Sequence, residues 1–443
     1  MTSGTENINF KVWVVTADMG YGHQRAVYPL KQIAEEKILT VGSNPTASKK
    51  ERNLWKRTLN AYEFMSRAKS IPVIGNPFFN LLDYMLRIPS SYPIRDLSNS
   101  TFQVEILRSS IKNGLCADMI ETVSKKSLPI ITSFYASAIA ADMNSSNEIY
   151  CIICDADINR AWVAKEPWES RIIYFTPCGK AAQRLKAYGV PDERIIISGF
   201  PLPVELTGDS SLSVLKSNLK KRLIKLDPQK KFFQRHGANV RYHLGGDLDA
   251  VDERQKLTIT YAVGGAGAQK EIGGKIALSL KEKILNDEVK LILVAGTKHL
   301  VRDYFIEIKN EISNDKSKIE VIYEETLDKY FEIFNQKLAE TDILWTKPSE
   351  LSFYTALGMP IILTQSIGSQ EKFNAKWLYE IQAGIKQENP AYADQWLFDM
   401  LNKGRLAEAA WSGFLKARKL GTHKIIEYVS TGKIENQNSS VMR

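Results

Sequence analysis

Twice in this chain an unbroken apolar, β-rich run reaches glycine and passes straight into a helical period. The first is "KVWVVTADMGYGHQRAVYPL" at 11–30 and the second is "KLTITYAVGGAGAQKEIGGKIALSL" at 256–280. A strand without polar alternation cannot rest one face on water, so it belongs in a sheet covered on both sides. Further runs of the same kind follow each of these openings. In the first half they are "LPIITS" (128–133), "EIYCIICD" (148–155), "RIIYFTP" (171–177) and "RIIISG" (194–199). In the second half they are "VKLILVAG" (289–296), "IEVIYE" (319–324), "DILWTKP" (342–348) and "PIILTQS" (360–366). Helical periods separate them, which predicts crossover helices and parallel sheets. The expected fold class is therefore α/β, with two Rossmann-like doubly wound domains facing a central cleft.

With 443 residues, two domains are also the natural division by size. The expected boundaries are 1–205 for the first domain and 256–404 for the second. The last long helical stretch, about 405–430, is expected to pack back on the first domain. Between the domains, 206–255 is rich in Lys and Arg and shows no convincing strand, so it reads as a basic linker or excursion.

Several classes of protein are disfavoured. No apolar run approaches the roughly 20 residues that span a bilayer, and the start "MTSGTENINF" lacks the basic-then-apolar form of a secretory signal. A cytoplasmic protein is expected. Cys116, Cys151, Cys154 and Cys178 include one CxxC, but it lies inside a strand run without a second pair, so all four read as core thiols. The formal charge of +9 suits nucleic acid, an anionic membrane or a phosphorylated substrate. No zinc-finger spacing or RNA-binding signature accompanies it, so nucleic acid is not expected as a partner. The segment 53–93 mixes Trp55, Phe64, Phe78, Phe79, Tyr84 and Tyr92 with Lys56, Arg57, Arg67 and Lys69. That mixture suits an interfacial membrane contact or an amphipathic helical pair lying on the sheet.

Ligands of open α/β sheets sit beyond the carboxyl ends of the strands, so the loops there hold the candidate chemistry. "AVGGAGAQKE" places Gly264, Gly265 and Gly267 between a strand and a helix, where backbone N–H groups can face phosphates. It lacks the Gly-Lys-Ser/Thr of a P-loop and the spacing of a dinucleotide fingerprint, and a tight turn is the alternative. "VAGTKHL" offers Gly296 and Lys298, and "WTKPSELSFYTALG" offers Lys347, Ser349 and Glu350. "SIGSQEKFNAKWL" offers Gln370, Glu371 and Asn374, suited to a hydroxyl-rich ligand or to helix capping. In the first half, "CDADINRAW" ends a strand with Asp155 and Asp157. His23 follows Gly20 and Gly22 at the same expected edge. There it could take a proton at neutral pH or simply pack.

Taken in order, "GYGHQRA", "ITSFYASA", "CDADINRAW", "YFTPCGKAAQRLKAYGVPDERIIISGFPLP", "VGGAG", "WTKPSELS" and "SIGSQEKFNAKWL" resemble the GT-B glycosyltransferases that include the monogalactosyldiacylglycerol synthases and processive diacylglycerol glucosyltransferases. The peptidoglycan lipid-linked N-acetylglucosaminyltransferase is more distantly similar. The resemblance implies a nucleotide-diphospho-sugar donor, usually a UDP-sugar, held mainly by the C-terminal domain. It implies a lipid or other hydroxyl acceptor on the N-terminal domain at an anionic membrane surface. His23 matches the family's candidate general base and Asp155 the aspartate of its Thr-Asp motif. Gly264, Gly265, Gly267, Gly296, Lys347, Glu350, Gln370, Glu371 and Asn374 fall on the donor side. Gly20, Gly22, Ser133, Asp157 and Arg160 fall on the acceptor side. Transfer would invert the sugar carbon, with UDP leaving. No cofactor or metal is expected, because backbone N–H groups and lysine can hold the leaving charge.

The chain also departs from the family. Ser349 and Glu350 stand where two glycines are usual, and Thr355 where a ribose-binding glutamate is expected. Arg160 replaces a histidine, and Tyr21 a glycine. A non-catalytic GT-B protein that binds a nucleotide sugar, glycan or protein partner is the alternative these changes favour. A nucleotide-sugar 2-epimerase is a third reading and would need more carboxylates.

Overall fold

The structure, a computed structural model, describes residues 10–42, 47–57, 88–245, 256–265, 267–366 and 368–434. Most of the aromatic and basic segment singled out above, including Phe64, Phe78, Phe79, Tyr84, Arg67 and Lys69, lies outside the described residues. By contact the chain divides into two units. Among the described residues, the first holds positions up to 201 with 368–373 and 420–434. The second holds 202–366 and 374–419.

The first unit is built on six strands: β1 (Trp13–Ala17), β2 (Leu39–Val41), β3 (Ile130–Thr132), β4 (Ile149–Ile152), β5 (Ile173–Phe175) and β6 (Ile195–Ile196). They lie in the order β2-β1-β3-β4-β5-β6, and every pairing is parallel. β1, β3 and β4 are buried along their whole length, as a strand covered on both faces must be. The helix Tyr135–Asn144 explains how close the covering comes. Its small residues Ala136, Ser137, Ala138, Ala140 and Ala141 are all buried.

The second unit repeats the plan with β7 (Leu257–Ala262), β8 (Val289–Gly296), β9 (Ile319–Tyr323), β10 (Ile343–Thr346), β11 (Ile361–Leu363) and β12 (Gly384–Lys386). Their order is β12-β11-β10-β7-β8-β9, again all parallel. Counted within the unit this is the doubly wound Rossmann order. In each sheet the winding reverses at one place, between β1 and β3 in the first and between β7 and β10 in the second. Crevices for ligands open at such reversals.

Two expectations about the connections need correction. The basic stretch from 216 is, through residue 244, not a linker but two helices of the second unit, Ser213–Lys225 and Lys231–Leu244. Leu215, Leu219 and Leu223 form one buried stripe, and Phe232, Val240 and Leu244 another, at the spacing of a helix face. Buried Arg222 ties the first of these helices down, donating to the carbonyls of Thr341, Leu357 and Gly358 at 2.8–3.2 Å. Lys225 adds an ion pair to buried Asp342 at 2.8 Å. The terminal helical stretch is also not one helix. Arg405–Lys416 stays with the second unit, while Gly421–Thr431 belongs to the first. There Tyr428 meets Phe175 and Tyr150 edge-on, at ring distances of 5.7 and 6.2 Å.

Candidate functional site

In the first unit, chemistry gathers where the sheet reverses. β1 ends at Ala17, and Gly20 turns the chain at φ +94° to open the helix Tyr21–Val27. That φ lies in the region only glycine enters without strain. His23 thus stands in the first turn of the helix, half-buried. The neighbouring strand β3 ends at Thr132, and the next residue, Ser133, grips this helix from both ends of its own structure. The Ser133 carbonyl lies 2.7 Å from His23 Nδ1, and the Ser133 hydroxyl donates to the His23 carbonyl at 2.7 Å. Thr16 on β1 shares a hydrogen bond with the same hydroxyl at 3.1 Å. A carbonyl can only accept, so the short contact places the ring hydrogen on Nδ1 and the lone pair on Nε2.

The surroundings of the ring are mostly aromatic. Phe134 meets it edge-on at 5.0 Å and Trp162 lies 6.0 Å away. Cys154, which the sequence places only in a core, lies with its sulfur 3.7 Å from His23 Nδ1. It directly precedes Asp155, half-buried in the turn beyond β4. The sheet therefore brings His23, Ser133 and the Cys154-Asp155 pair to one edge, because β1, β3 and β4 are successive neighbours.

Two residues expected on the acceptor side are committed elsewhere. Asp157 is 1% exposed and forms a bidentate ion pair with Arg184, at 2.7 Å to Nε and 2.9 Å to Nη2. Arg184 also donates to the Pro89 carbonyl at 2.6 Å. Arg160 spends all five of its N–H groups on main-chain carbonyls, those of Ser98, Val163, Ala164 and Lys165, at 2.7–3.3 Å. Burial pushes its pKa down, with partial relief from Tyr174, Tyr188 and Glu166. Both side chains are buried and brace the loop beyond β4. Ser133 is likewise a support for His23, and Gly22 lies within the helix itself.

In the second unit the reversal brings the ends of β7 and β10 together. Ala262 and Thr346 are register partners, and the Thr346 hydroxyl donates to the Ala262 carbonyl at 3.0 Å. One step further on, the half-buried Lys347 chain lies across Gly264 so closely that a Cβ there would overlap its Cε. The Gly267 N–H closes the turn on the Gly264 carbonyl at 2.8 Å. The half-buried Gly265 lies between them, and Ala266 lies outside the described residues.

Gln269, which sequence reasoning passed over, fastens the end of this loop. Its side-chain oxygen accepts from Thr364 at 2.6 Å and its amide donates to the Gln365 carbonyl at 3.0 Å. Tyr261 donates to its carbonyl at 2.6 Å. The only signal was its place at the helix start of a glycine loop. Gly296 ends β8, and its carbonyl accepts from the Glu324 N–H at 3.0 Å, so it joins main chain to main chain.

Beyond Lys347, Ser349 caps the 3-10 helix Glu350–Leu357 by accepting from the Leu351 N–H at 3.4 Å. Glu350 is buried, and Thr355 is fully buried with its hydroxyl donating to the Met359 carbonyl at 3.2 Å. The helix Ser369–Glu380 carries the last three candidates. Gln370 and half-buried Glu371 are grouped with the first unit, while fully buried Asn374 is grouped with the second. The Glu371 carboxylate accepts from the Gly368 N–H at 3.4 Å. Among the described residues no three or more His, Cys, Asp or Glu side chains converge as metal ligands, and no helix is long and apolar enough to cross a membrane.

No protein-family model and no curated protein matches the chain. Solved structures of similar fold span nearly all of it. A putative UDP-N-acetylglucosamine 2-epimerase from Listeria monocytogenes shares 13% identity at a TM-score of 0.48, covering 99% of this chain and 100% of that one. MurG from Acinetobacter baumannii shares 12% at 0.47, covering 95% and 99%. MnaA from S. aureus, in a co-structure with UDP, shares 14% at 0.45, covering 95% and 96%. At these identities and scores the site must be read from the chain's own residues.

Proposed function

We propose that the chain is a GT-B glycosyltransferase that moves a sugar from a nucleotide-diphospho-sugar, a UDP-sugar, to a hydroxyl acceptor carried by a lipid. The observation that carries this reading is the 2.7 Å contact between His23 Nδ1 and the Ser133 carbonyl. It orients the imidazole and leaves Nε2 as the basic nitrogen, the arrangement a general base needs. In the proposed reaction Nε2 takes the acceptor's hydroxyl proton as its oxygen attacks the sugar carbon. The bond from that carbon to the diphosphate breaks, and the configuration inverts. Lys347 and the N–H groups of Gly264 and Gly265 would meet the charge that develops on the departing diphosphate. Asp155, in the bend beyond β4, would act on the acceptor beside His23. The resemblance to diacylglycerol glycosyltransferases supports the lipid acceptor, a cytoplasmic location and contact with an anionic membrane surface.

A second reading, a binder without turnover, draws on one observation. Thr355 stands in the core, so no carboxylate serves the ribose from that position. One experiment separates the two. Purified chain is incubated with radiolabelled UDP-sugars and diacylglycerol in mixed micelles, and thermal shifts are recorded with UDP, GDP and ADP. The transferase reading expects a UDP shift and labelled glycolipid that falls about 10²- to 10⁴-fold in His23→Gln, with the melting temperature kept. A UDP shift without product from any sugar supports the binder, and unchanged turnover in His23→Gln removes His23 from the chemistry.

A further inference from the structure

The glycine loop of the second unit is loose by composition and pinned by one residue. Gly264, Gly265 and Gly267 give its main chain more conformational freedom than other residues would. A phosphate cradle gains affinity when its N–H groups are held beforehand in one arrangement. Gln269 ends the loop in the left-handed region, at φ +69° and ψ +23°, where residues other than glycine are uncommon. Such a conformation persists where the surroundings over-determine it, and it is frequent at ligand clamps. Here the surroundings do so. The side-chain oxygen of Gln269 accepts from the Thr364 hydroxyl at 2.6 Å, and its amide donates to the Gln365 carbonyl at 3.0 Å. Its own carbonyl accepts from the Tyr261 hydroxyl at 2.6 Å and from the Ile272 N–H at 3.1 Å. The buried Tyr261 ring lies so close to Gly273 that a Cβ there would fall 2.8 Å from it. The far anchor is fixed as well. Thr364 is buried, and its N–H donates to the Thr346 carbonyl at 3.0 Å.

Thr364 directly follows β11, and β10 lies between β11 and β7 in the sheet. The Gln269 side chain therefore ties the loop beyond β7 to the end of β11, past the strand end that carries Lys347. A turn alone does not need this tie, because the Gly267 N–H already closes it on the Gly264 carbonyl. What the side chain adds is the position of the closed turn relative to β10 and β11. We propose that Gln269 is a positioning residue for the donor's diphosphate. Through Thr364 and the Gln365 carbonyl it holds the glycine loop against Lys347 before the nucleotide arrives. The role requires a nucleotide-diphospho-sugar at this loop, so it rests on the donor reading. Because it acts on the phosphate cradle, Gln269 favours a nucleoside diphosphate over the bare nucleoside.

The test compares UDP and uridine binding by the full chain, Gln269→Gly, Thr364→Val and the double variant. Glycine enters the left-handed region freely, so Gln269→Gly removes both side-chain bonds without straining the turn. A released loop binds with its affinity reduced by the fraction that stays competent, so UDP affinity should fall about 5- to 30-fold in Gln269→Gly. Thr364→Val spares the bond to the Gln365 carbonyl and should lose less. The double variant should match Gln269→Gly, since the hydroxyl acts through that side chain. Uridine affinity should stay unchanged, because uridine carries no phosphate. Melting temperatures report the fold of each variant, and Thr364→Val supplies the same comparison should Gln269→Gly not fold. A merely structural role would move UDP and uridine together. UDP affinity unchanged in the folded variants, or equal losses for both ligands, overturns the inference and leaves the donor reading standing. A parent chain that does not bind UDP overturns both.

Discussion

The contact of Gly264 with Lys347 allows a quantitative test of the proposed diphosphate site. Gly264 does not lie in the left-handed region, so alanine can adopt its backbone conformation. The added methyl would overlap Lys347 Cε, and the flexible end of that side chain must move. Displacing it from a favoured rotamer costs about 0.5–1.5 kcal/mol, so the fold should survive Gly264→Ala with a small loss of stability. Binding should suffer more. If Lys347 reaches a phosphate across the glycine, losing that charged hydrogen bond costs about 1.5–3 kcal/mol, or roughly 10- to 150-fold in Kd. Lys347→Ala should cost about the same. The double variant should bind no worse than Lys347→Ala alone, because the methyl has nothing left to displace. Isothermal titration with UDP on the four proteins measures the cycle. Losses that simply add refute the argument, as does a Gly264→Ala protein that binds UDP like the parent.

Two further outcomes follow from buried and charged groups. Asp157→Ala leaves the buried Arg184 with the Pro89 carbonyl in place of a bidentate carboxylate, so unfolding stability should fall by about 3–5 kcal/mol. Urea denaturation measures it, and a loss under 1 kcal/mol contradicts the bracing role. For His243, burial followed by Lys216 and Lys419 lowers the pKa below the usual 6.5. The unfolded chain therefore takes up the proton first on acidification, and stability present above pH 6.5 is lost as pH falls toward the folded value. His243→Gln should flatten that part of the pH profile in urea melts, and an unchanged slope rules the residue out.

How much of this was legible beforehand depends on whether a residue acts alone or through a partner. The long apolar runs named the central strands, since burial on both faces leaves an unmistakable composition. β2 and β12 went unread. Each is three residues long at a sheet edge, where the neighbouring strand rather than the segment's own composition makes it a strand. The glycine loops marked the places where ligands would sit, and His23 with Asp155 could be assigned to one edge. That Asp157 and Arg160 are braces could not be seen, because their partners lie up to 62 residues away.

The sequence by itself determined two parallel α/β sheets, the glycine loops at their strand ends and the overall surplus of positive charge. Periodicity and composition are local properties, and each of these is a local property summed along the chain. The tertiary structure alone decided which loops lie at the two sheet reversals, because strand order is set by winding. It turned Ser133 from a candidate ligand into the clasp that fixes the His23 ring, and moved Cys154 from an anonymous core to the imidazole's side. It also converted the expected linker, through residue 244, into two helices of the second unit. Each of these outcomes depends on groups brought together across sequence by the folding of the sheets.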